Sequence, residues 1–216
     1  MDKESKAELL DLTGGLGEVA LDSLLKDGLF KDIPVIGSLI SIGRLTKSVS
    51  DTLLLTRILC FVNELDLKNQ EEIDEFKEKY FKDDNYKEIG AKVLFSLERA
   101  DDARKIKWQA KLMRLFLDRK IDRTKFLRLV AIINNSFCSD TEQIIVFQRL
   151  KSITSNNELV EAYVLDHLFS IGLLDSVGID GGDVSGNNSG TIYELNEFGA
   201  VFLKSILTEA PPNTQI

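Results

Sequence analysis

The chain contains a single histidine, His167, which is the first candidate for a catalytic residue. It follows Asp166 in an otherwise apolar stretch, so an imidazole and a carboxylate are adjacent in sequence. Ser-His-Asp chemistry requires a nucleophile held against that one imidazole, and the sequence shows no Gly-x-Ser-x-Gly turn to present one. The sequence therefore predicts no catalytic residue and a protein that is not an enzyme.

Metal and cofactor sites are equally unsupported by the residue spacing. Cys60 and Cys138 each lie in an apolar helical pattern without a Cys-x-x-Cys pair, and together with one histidine they cannot complete a zinc site. Asp180-Gly181-Gly182-Asp183 lacks EF-hand spacing. Gly15-Leu16-Gly17-Glu18-Val19-Ala20 matches the dinucleotide fingerprint in letters, but no strand precedes it. We predict no metal and no cofactor.

A basic segment is the strongest electrostatic feature. Residues 104–128 hold ten basic and two acidic side chains, a local charge of +8 in a chain of net charge −8. Helical spacing aligns four of them into a candidate face for an anion or partner: Arg104, Lys107, Lys111 and Arg114. This face could bind a nucleic-acid backbone, an anionic lipid surface or an acidic protein. We favour a third interpretation, in which the acidic stretch 70–84 or the acidic C-terminal region neutralises this positive charge within the protein. No aromatic residues alternate with the basic ones on this face, so the pattern does not support binding of single-stranded nucleic acid.

The C-terminal third has the outline of a winged helix. A helix is predicted from Asn156 to Ile171, then a short strand at Leu173-Leu174, a glycine-rich loop over 178–190, a second strand at Thr191–Leu195 and a closing helix. Residues 152–216 contain one basic side chain, Lys204, against nine acidic ones. Since cations against phosphates supply most DNA affinity, this unit is predicted to bind protein.

The fold class predicted for the whole chain is mainly α, a multi-helix bundle with a C-terminal winged-helix-like unit that contains a short β-hairpin. Helices are expected over 47–65, in 70–84, over 86–97, from Asp101-Asp102 onward, after Asp122 and over 141–150. Composition divides the chain into an apolar Gly/Ser-spaced module (1–65), a charged bundle (66–151), the winged-helix-like unit (152–209) and a disordered tail (210–216).

Residues 33–43 form an uncharged apolar run. At eleven residues it is shorter than the roughly 20 that a membrane-spanning helix needs. Core packing is favoured, and contact with a membrane interface is the alternative, through Ile33, Val35, Ile36, Leu39, Ile40 and Ile42. The N-terminus shows no signal-peptide pattern, and the unpaired cysteines suit a reducing compartment. We expect a cytoplasmic protein, with this run allowing peripheral contact at the inner membrane.

Two stretches of sequence carry a resemblance to a known family. They are Ile33-Pro34-Val35-Ile36-Gly37 and the ending Ile171-Gly172-Leu173-Leu174 with Tyr193-Glu194-Leu195-Asn196-Glu197-Phe198-Gly199. Together with the central Leu112–Asp118 and Phe126–Leu129 segments, they resemble the abortive-infection alpha family of phage-defence proteins, loosely and over about two thirds of the chain. Asn196 stands where that family usually has threonine. The resemblance implies a bacterial or prophage-borne accessory protein that limits phage growth, and it carries over no catalytic residue.

The function predicted from these observations is that of a non-catalytic bacterial accessory protein. It would act through protein–protein contacts in phage defence, with membrane contact through residues 33–43. The alternative is a nucleic-acid-binding transcriptional regulator that uses the basic helices of residues 104–128.

Overall fold

The computed structural model describes residues 49–65, 85–182 and 189–208. They form a mainly helical chain with one three-stranded antiparallel sheet near the C-terminus, which confirms the predicted fold class. The chain divides into two compact units, Met1–Arg123 and Thr124–Ile216. The fingerprint at 15–20, the apolar run at 33–43, the acidic stretch at 70–84 and the tail at 210–216 lie outside the described residues. The predicted four-part division stays a prediction.

The first unit contains three described helices. Helix α1 (Val49–Leu65) packs against α2 (Asn85–Arg99) and α3 (Ala103–Leu117), and all three helices match predicted ones. The α3 helix begins where predicted because the Asp102 carboxylate accepts the backbone N–H of Arg104 at 2.8 Å, as an N-cap residue does. Its buried surface is wider than the predicted stripe, since Trp108 and Leu112 are buried beside Ile106, Ala110 and Met113.

A buried arginine ties α1 to the end of α2. The Arg57 guanidinium donates to the carbonyl oxygens of Glu98 at 2.6 Å and Leu97 at 3.4 Å. These carbonyls belong to the last turn of α2, where backbone donors become scarce: the Leu97 oxygen also accepts the N–H of Ala100, at 3.3 Å. Burial lowers the pKa of Arg57, and the nearby Asp101 and Glu98 carboxylates oppose that shift. Arg57 therefore closes α2 from a neighbouring helix.

Helix α4 (Arg123–Asn135) starts at the last residue of the first unit and lies otherwise in the second, where α5 (Cys138–Glu142) and a 3₁₀ helix (Gln143–Gln148) follow it. The prediction of one helix over 141–150 is wrong. Three consecutive β-branched residues, Ile144, Ile145 and Val146, disfavour the α-helix there, and the chain tightens into the 3₁₀ form.

The sheet has the strand order β1-β3-β2, with β1 at Ser152–Thr154, β2 at Leu174–Asp180 and β3 at Gly190–Leu195. Strand β1 was not predicted. The prediction that the first hairpin strand ends at Leu174 and that the loop starts at Gly178 is also wrong. Pairing with β3 extends β2 to Asp180, and a bulge between Ser176 and Gly178 accommodates the glycine.

Helix α6 (Ala162–Ser170) starts six residues later than predicted. The Asn157 side chain accepts the N–H groups of Leu159 and Val160 and donates to the Thr154 carbonyl at 2.6 Å, so it builds a turn instead of a first helical turn. At the other end, Gly172 has φ +89°, and the N–H groups of Gly172 and Leu173 bond back to the carbonyls of Phe169 and Leu168. This is a Schellman ending, and it turns the chain into β2.

Helix α7 (Glu197–Val201) continues as a short π-helix (Phe202–Leu207) and packs closely on the residues before β2. The Asn196 carboxamide caps α7 by accepting the N–H groups of Phe198 and Gly199, each at 3.0 Å. A Cβ at Gly199 would lie 2.1 Å from the backbone oxygen of Leu173. Only glycine fits here. Among the described residues, no helix is both long and apolar enough to cross a membrane.

We expect Gly199→Ala to destabilise the second unit by about 1–3 kcal/mol, because the added methyl group meets backbone that cannot rotate away. Urea unfolding followed by circular dichroism, with hydrogen exchange on peptides from 162–207, measures the loss. Gly181→Ala is the matched control, since a Cβ there meets nothing within 4 Å and its free energy of unfolding should change by at most about 0.5 kcal/mol. Equal stability of the two variants would contradict this packing.

Arg57→Met should destabilise the first unit by about 1–3 kcal/mol, because two carbonyls at the end of α2 lose a charged donor. The fluorescence of the only tryptophan, Trp108, which is buried in this unit, reports the transition in urea. Arg99→Met is the control: Arg99 is exposed and lies over the Phe95 ring at 5.2 Å. A Trp108 transition equally shifted in both variants would show that Arg57 has no special role.

Candidate protein-binding face of the C-terminal unit

Helix α6 is held on two sides by side chains of adjacent residues. Asp166 accepts a hydrogen bond from the Tyr193 hydroxyl at 2.6 Å, which joins the helix to the central strand β3. His167 lies with Nδ1 2.8 Å from a carboxylate oxygen of Asp140, which joins the helix to α5. Together the two contacts fix the rotation of α6 about its axis and determine which side chains it exposes.

Tyr193 is the centre of the junction between α6 and the sheet. It is 4% exposed, faces Ile153 of β1 and Ser176 of β2 in the strand register, and lies with its ring centroid 5.8 Å from that of Phe169. Burial raises the pKa of the Tyr193 phenol, and the hydrogen bond to Asp166 raises it further. A neutral phenol that donates to a carboxylate suits this site, whereas a phenolate would face the same carboxylate as a like charge.

His167 shows half of a catalytic arrangement. Its Nδ1 has the carboxylate of Asp140, as the orienting group of a triad would be placed, but its Nε2 faces the backbone oxygen of Asn135 at 3.5 Å. A nucleophilic hydroxyl or thiol would have to occupy that second position. The geometry of His167 suits positioning of α6, and the prediction that the protein is not an enzyme stays a prediction.

The cysteines and acidic residues show no metal-binding arrangement within the described ranges. No group of three or more His, Cys, Asp or Glu side chains converges there. Burial raises the pKa of the Cys60 thiol, and Cys138 is buried, so neither favours a thiolate ligand. Asp180 accepts the N–H of Gly182 at 2.9 Å in a turn, while Asp183 lies outside the described residues.

The exposed side of α6 carries aromatic and acidic side chains. Tyr163, Asp166 and Phe169 follow one another at a spacing of three residues, and Tyr163 and Phe169 are 65% and 45% exposed. The opposite side of the helix is buried through Val164, Leu165 and Leu168. Neighbours three apart on a helix form a continuous row, so Tyr163 to Phe169 is one stripe.

This stripe continues onto the sheet. Phe169 contacts the Tyr193 ring, and Thr191, two residues earlier in β3, projects from the same face of the sheet as Tyr193. Ile179 of β2 stands directly opposite Thr191 and is 83% exposed. We name the surface formed by Tyr163, Asp166, Phe169 and Ile179 the α6–wing face.

The segment that forms this face contains acidic side chains but no Lys or Arg. No Lys or Arg occurs between Ser152 and Leu203 in the sequence. Glu158 and Glu161 precede α6 and are exposed, as is Asp166 within the α6–wing face. In a winged helix that binds DNA, the helix before the wing enters the major groove, where cations must meet the phosphates. Here that helix presents carboxylates and aromatic rings.

No protein-family model, curated protein or solved structure matches this chain. The abortive-infection resemblance therefore stays a prediction. In its C-terminal motif the structure gives three residues roles in packing: Gly172 ends α6, Asn196 caps α7, and Gly199 packs on Leu173.

The structure places the predicted basic face, Arg104, Lys107, Lys111 and Arg114, along the exposed and half-buried side of α3. Several of its cations are paired with carboxylates of the same unit. Arg104 binds Asp102 through two nitrogen atoms, the nearer at 2.7 Å; Arg114 lies 3.3 Å from Asp118; Lys107 lies 3.9 Å from Glu64. Lys105, outside the predicted face, is buried and pairs with Asp101 at 2.8 Å.

Compensation of the basic segment is thus partly internal, as favoured from the sequence, but through different acids from those expected. The pairing carboxylates lie at the ends of α3 and on α1, whereas the acidic stretch 70–84 lies outside the described residues. A functional role of the basic face stays a prediction. The sequence analysis did not identify the exposed apolar residues of the α6–wing face, Tyr163, Phe169 and Ile179. The helical spacing of Val164, Leu165 and Leu168 does place Tyr163 and Phe169 away from the buried side of α6.

The raised pKa of Tyr193 predicts a loss of stability in alkali. The unfolded phenol ionises near its ordinary pKa of about 10, before the folded one, so the contribution of Tyr193 is complete below that pH and is lost as the pH rises through the higher folded value. Tyr193→Phe should remove this component from the pH dependence of unfolding. Phenolate absorbance of the folded variant should report one tyrosine fewer than the four of the wild type, and the missing component should be one that titrates above the ordinary pKa. Unchanged titration curves would contradict the assignment.

Proposed function

We propose that the second unit is a protein-binding module that works without catalysis, and that the chain is a bacterial accessory protein in phage defence. The observation that carries the first part is the composition of the α6–wing face: the helix that a winged helix would present to DNA exposes Tyr163, Asp166 and Phe169 instead of cations. Aromatic side chains bordered by charge are the composition that protein interfaces favour.

The architecture of this unit supports a binding role because the face is rigidly built. Two hydrogen-bonded contacts orient α6, at Asp166 and His167, and the Schellman ending fixes its connection to β2. A helix that is already held in this way does not have to be ordered when a partner binds, and that lowers the cost of association. The phage-defence setting comes from the motif resemblance alone.

The rival function, regulation through nucleic acid, depends on the basic face of α3. Contact with phosphates would there compete with the carboxylates of Asp102, Glu64 and Asp118. Arg104, Lys107 and Arg114 would each exchange one anionic partner for another, so the electrostatic gain per contact is smaller than for a solvated cation. This is the reason for placing the nucleic-acid function second.

Fluorescence anisotropy with duplex and single-stranded DNA at low and moderate salt separates the two functions. We expect no salt-sensitive binding by the full chain, and the same result for the combined change Arg104→Gln, Lys107→Gln, Lys111→Gln and Arg114→Gln. Binding that falls steeply with salt and disappears in this variant would favour the regulator.

Plaque counts on bacteria that express the chain test the defence role. The wild type should reduce plating of at least one phage, and the double change Tyr163→Lys with Ile179→Lys should restore plating while circular dichroism stays that of the folded protein. The control Ile145→Lys adds one lysine, against two in the double variant, at an exposed isoleucine of the 3₁₀ helix and should keep the reduction. No reduction by the wild type on a broad phage panel would count against phage defence.

A further inference from the structure

The exposed apolar and acidic side chains of the α6–wing face indicate the chemical class of its partner. It is a row of exposed apolar side chains, Tyr163, Phe169 and Ile179, with Asp166 within it and Glu158 and Glu161 beside the start of α6. An apolar row bordered by carboxylates is complementary to an apolar row bordered by ammonium or guanidinium groups. Cations that meet these carboxylates would be attracted without any repulsion from Lys or Arg between Ser152 and Leu203.

The edge strand of the sheet indicates whether a partner would bind as a strand or as a helix. Strand β2 is at an edge of the sheet in the described part of the chain, so a partner could in principle add a strand there. However, β2 carries a bulge at Val177 and Gly178 and exposes Asp175 and Asp180, features that oppose edge-to-edge pairing. Side-chain contact across the face is therefore favoured over strand addition, and a helix is the element that presents a continuous apolar row at a spacing of three and four residues.

We propose that the α6–wing face binds a cationic amphipathic helix of a partner protein. The helix lays its apolar side over Tyr163, Phe169 and Ile179 and directs Lys or Arg side chains toward Glu158, Glu161 and Asp166. This inference rests on the proposed protein-binding function and deepens it by naming the chemical class of the partner. Apolar contact supplies affinity, while the acidic border supplies selection against anionic segments and a faster encounter.

A fluorescein-labelled model peptide of leucine and lysine tests the proposal on the full chain. It should be long enough to form a helix, about 18 residues, with leucines at helical spacing on one side. A peptide of the same composition in scrambled order and a leucine–glutamate peptide are the probe controls. The ordered lysine peptide should bind at least about tenfold more tightly than either control, and binding should weaken as salt rises.

Variants of the face then locate the binding. Ile179→Lys and Tyr163→Lys should each weaken binding of the ordered peptide by about tenfold, and the combined change Glu158→Gln with Glu161→Gln should reduce its salt dependence. Ile145→Lys is the matched control: that isoleucine is 55% exposed, lies outside the face and should leave affinity within about twofold. Circular dichroism of each variant verifies folding.

Equal binding of the scrambled or glutamate peptide, or equal affinity of the Ile179→Lys and Ile145→Lys variants, would overturn the proposal. The plaque assay separates this failure from failure of the proposed function. If Ile179→Lys restores phage plating but binds the lysine peptide like the wild type, the face has a partner of another class and the proposed function stands. If the peptide requires the face but plating does not depend on it, the binding chemistry stands and the defence role fails.

Discussion

The C-terminal unit depends on the hydrogen bond between the Tyr193 hydroxyl and the Asp166 carboxylate. Tyr193 sits at the middle of the central strand, where its ring packs against Phe169 and faces β1 and β2 in the register. A buried phenol without an acceptor would cost free energy, so the position of Asp166 on α6 is constrained by the sheet. The adjacent His167 contact with Asp140 completes the constraint, and the outward direction of Tyr163 is its consequence.

Charge, more than fold, decides what such a unit can bind. The strand order β1-β3-β2 with a preceding helix is an architecture that supports many functions. Here the segment from Ser152 to Leu203 contains no Lys or Arg, while the basic segment lies mostly in the other unit and is partly neutralised by Asp102, Glu64 and Asp118. Local pairing of this kind keeps a strongly uneven sequence from producing an equally uneven electrostatic field.

The sequence predicted the elements that depend on contacts between neighbouring residues better than those that depend on contacts between residues distant in sequence. Helices with strong apolar periodicity and local caps, such as α3 after Asp102, were predicted close to their true bounds. The failures were set by contacts distant in sequence: β1 exists because Ile153 pairs with Tyr193, and β2 reaches Asp180 because β3 runs beside it. The predicted start of α6 was wrong for a local reason. Asn157 was assigned to the helix, but its side chain accepts the N–H groups of Leu159 and Val160 and forms a turn. For the basic face, helical spacing predicted that the four cations lie in one row. The ion pair between Lys107 and Glu64 could not be predicted in this way, because it depends on the packing of α1 against α3.

In the C-terminal unit, the residues that determine the fold differ from the exposed residues that are proposed to bind a partner. Gly172, Asn196 and Gly199 belong to the recognisable ending, and each is required for chain reversal, capping or close packing. Tyr163, Phe169 and Ile179 lie outside that ending and contribute exposed surface. Two chains can therefore share the ending, and with it the fold, and still bind different partners. It follows that the resemblance speaks mainly for the architecture, and that the partner must be inferred from the α6–wing face.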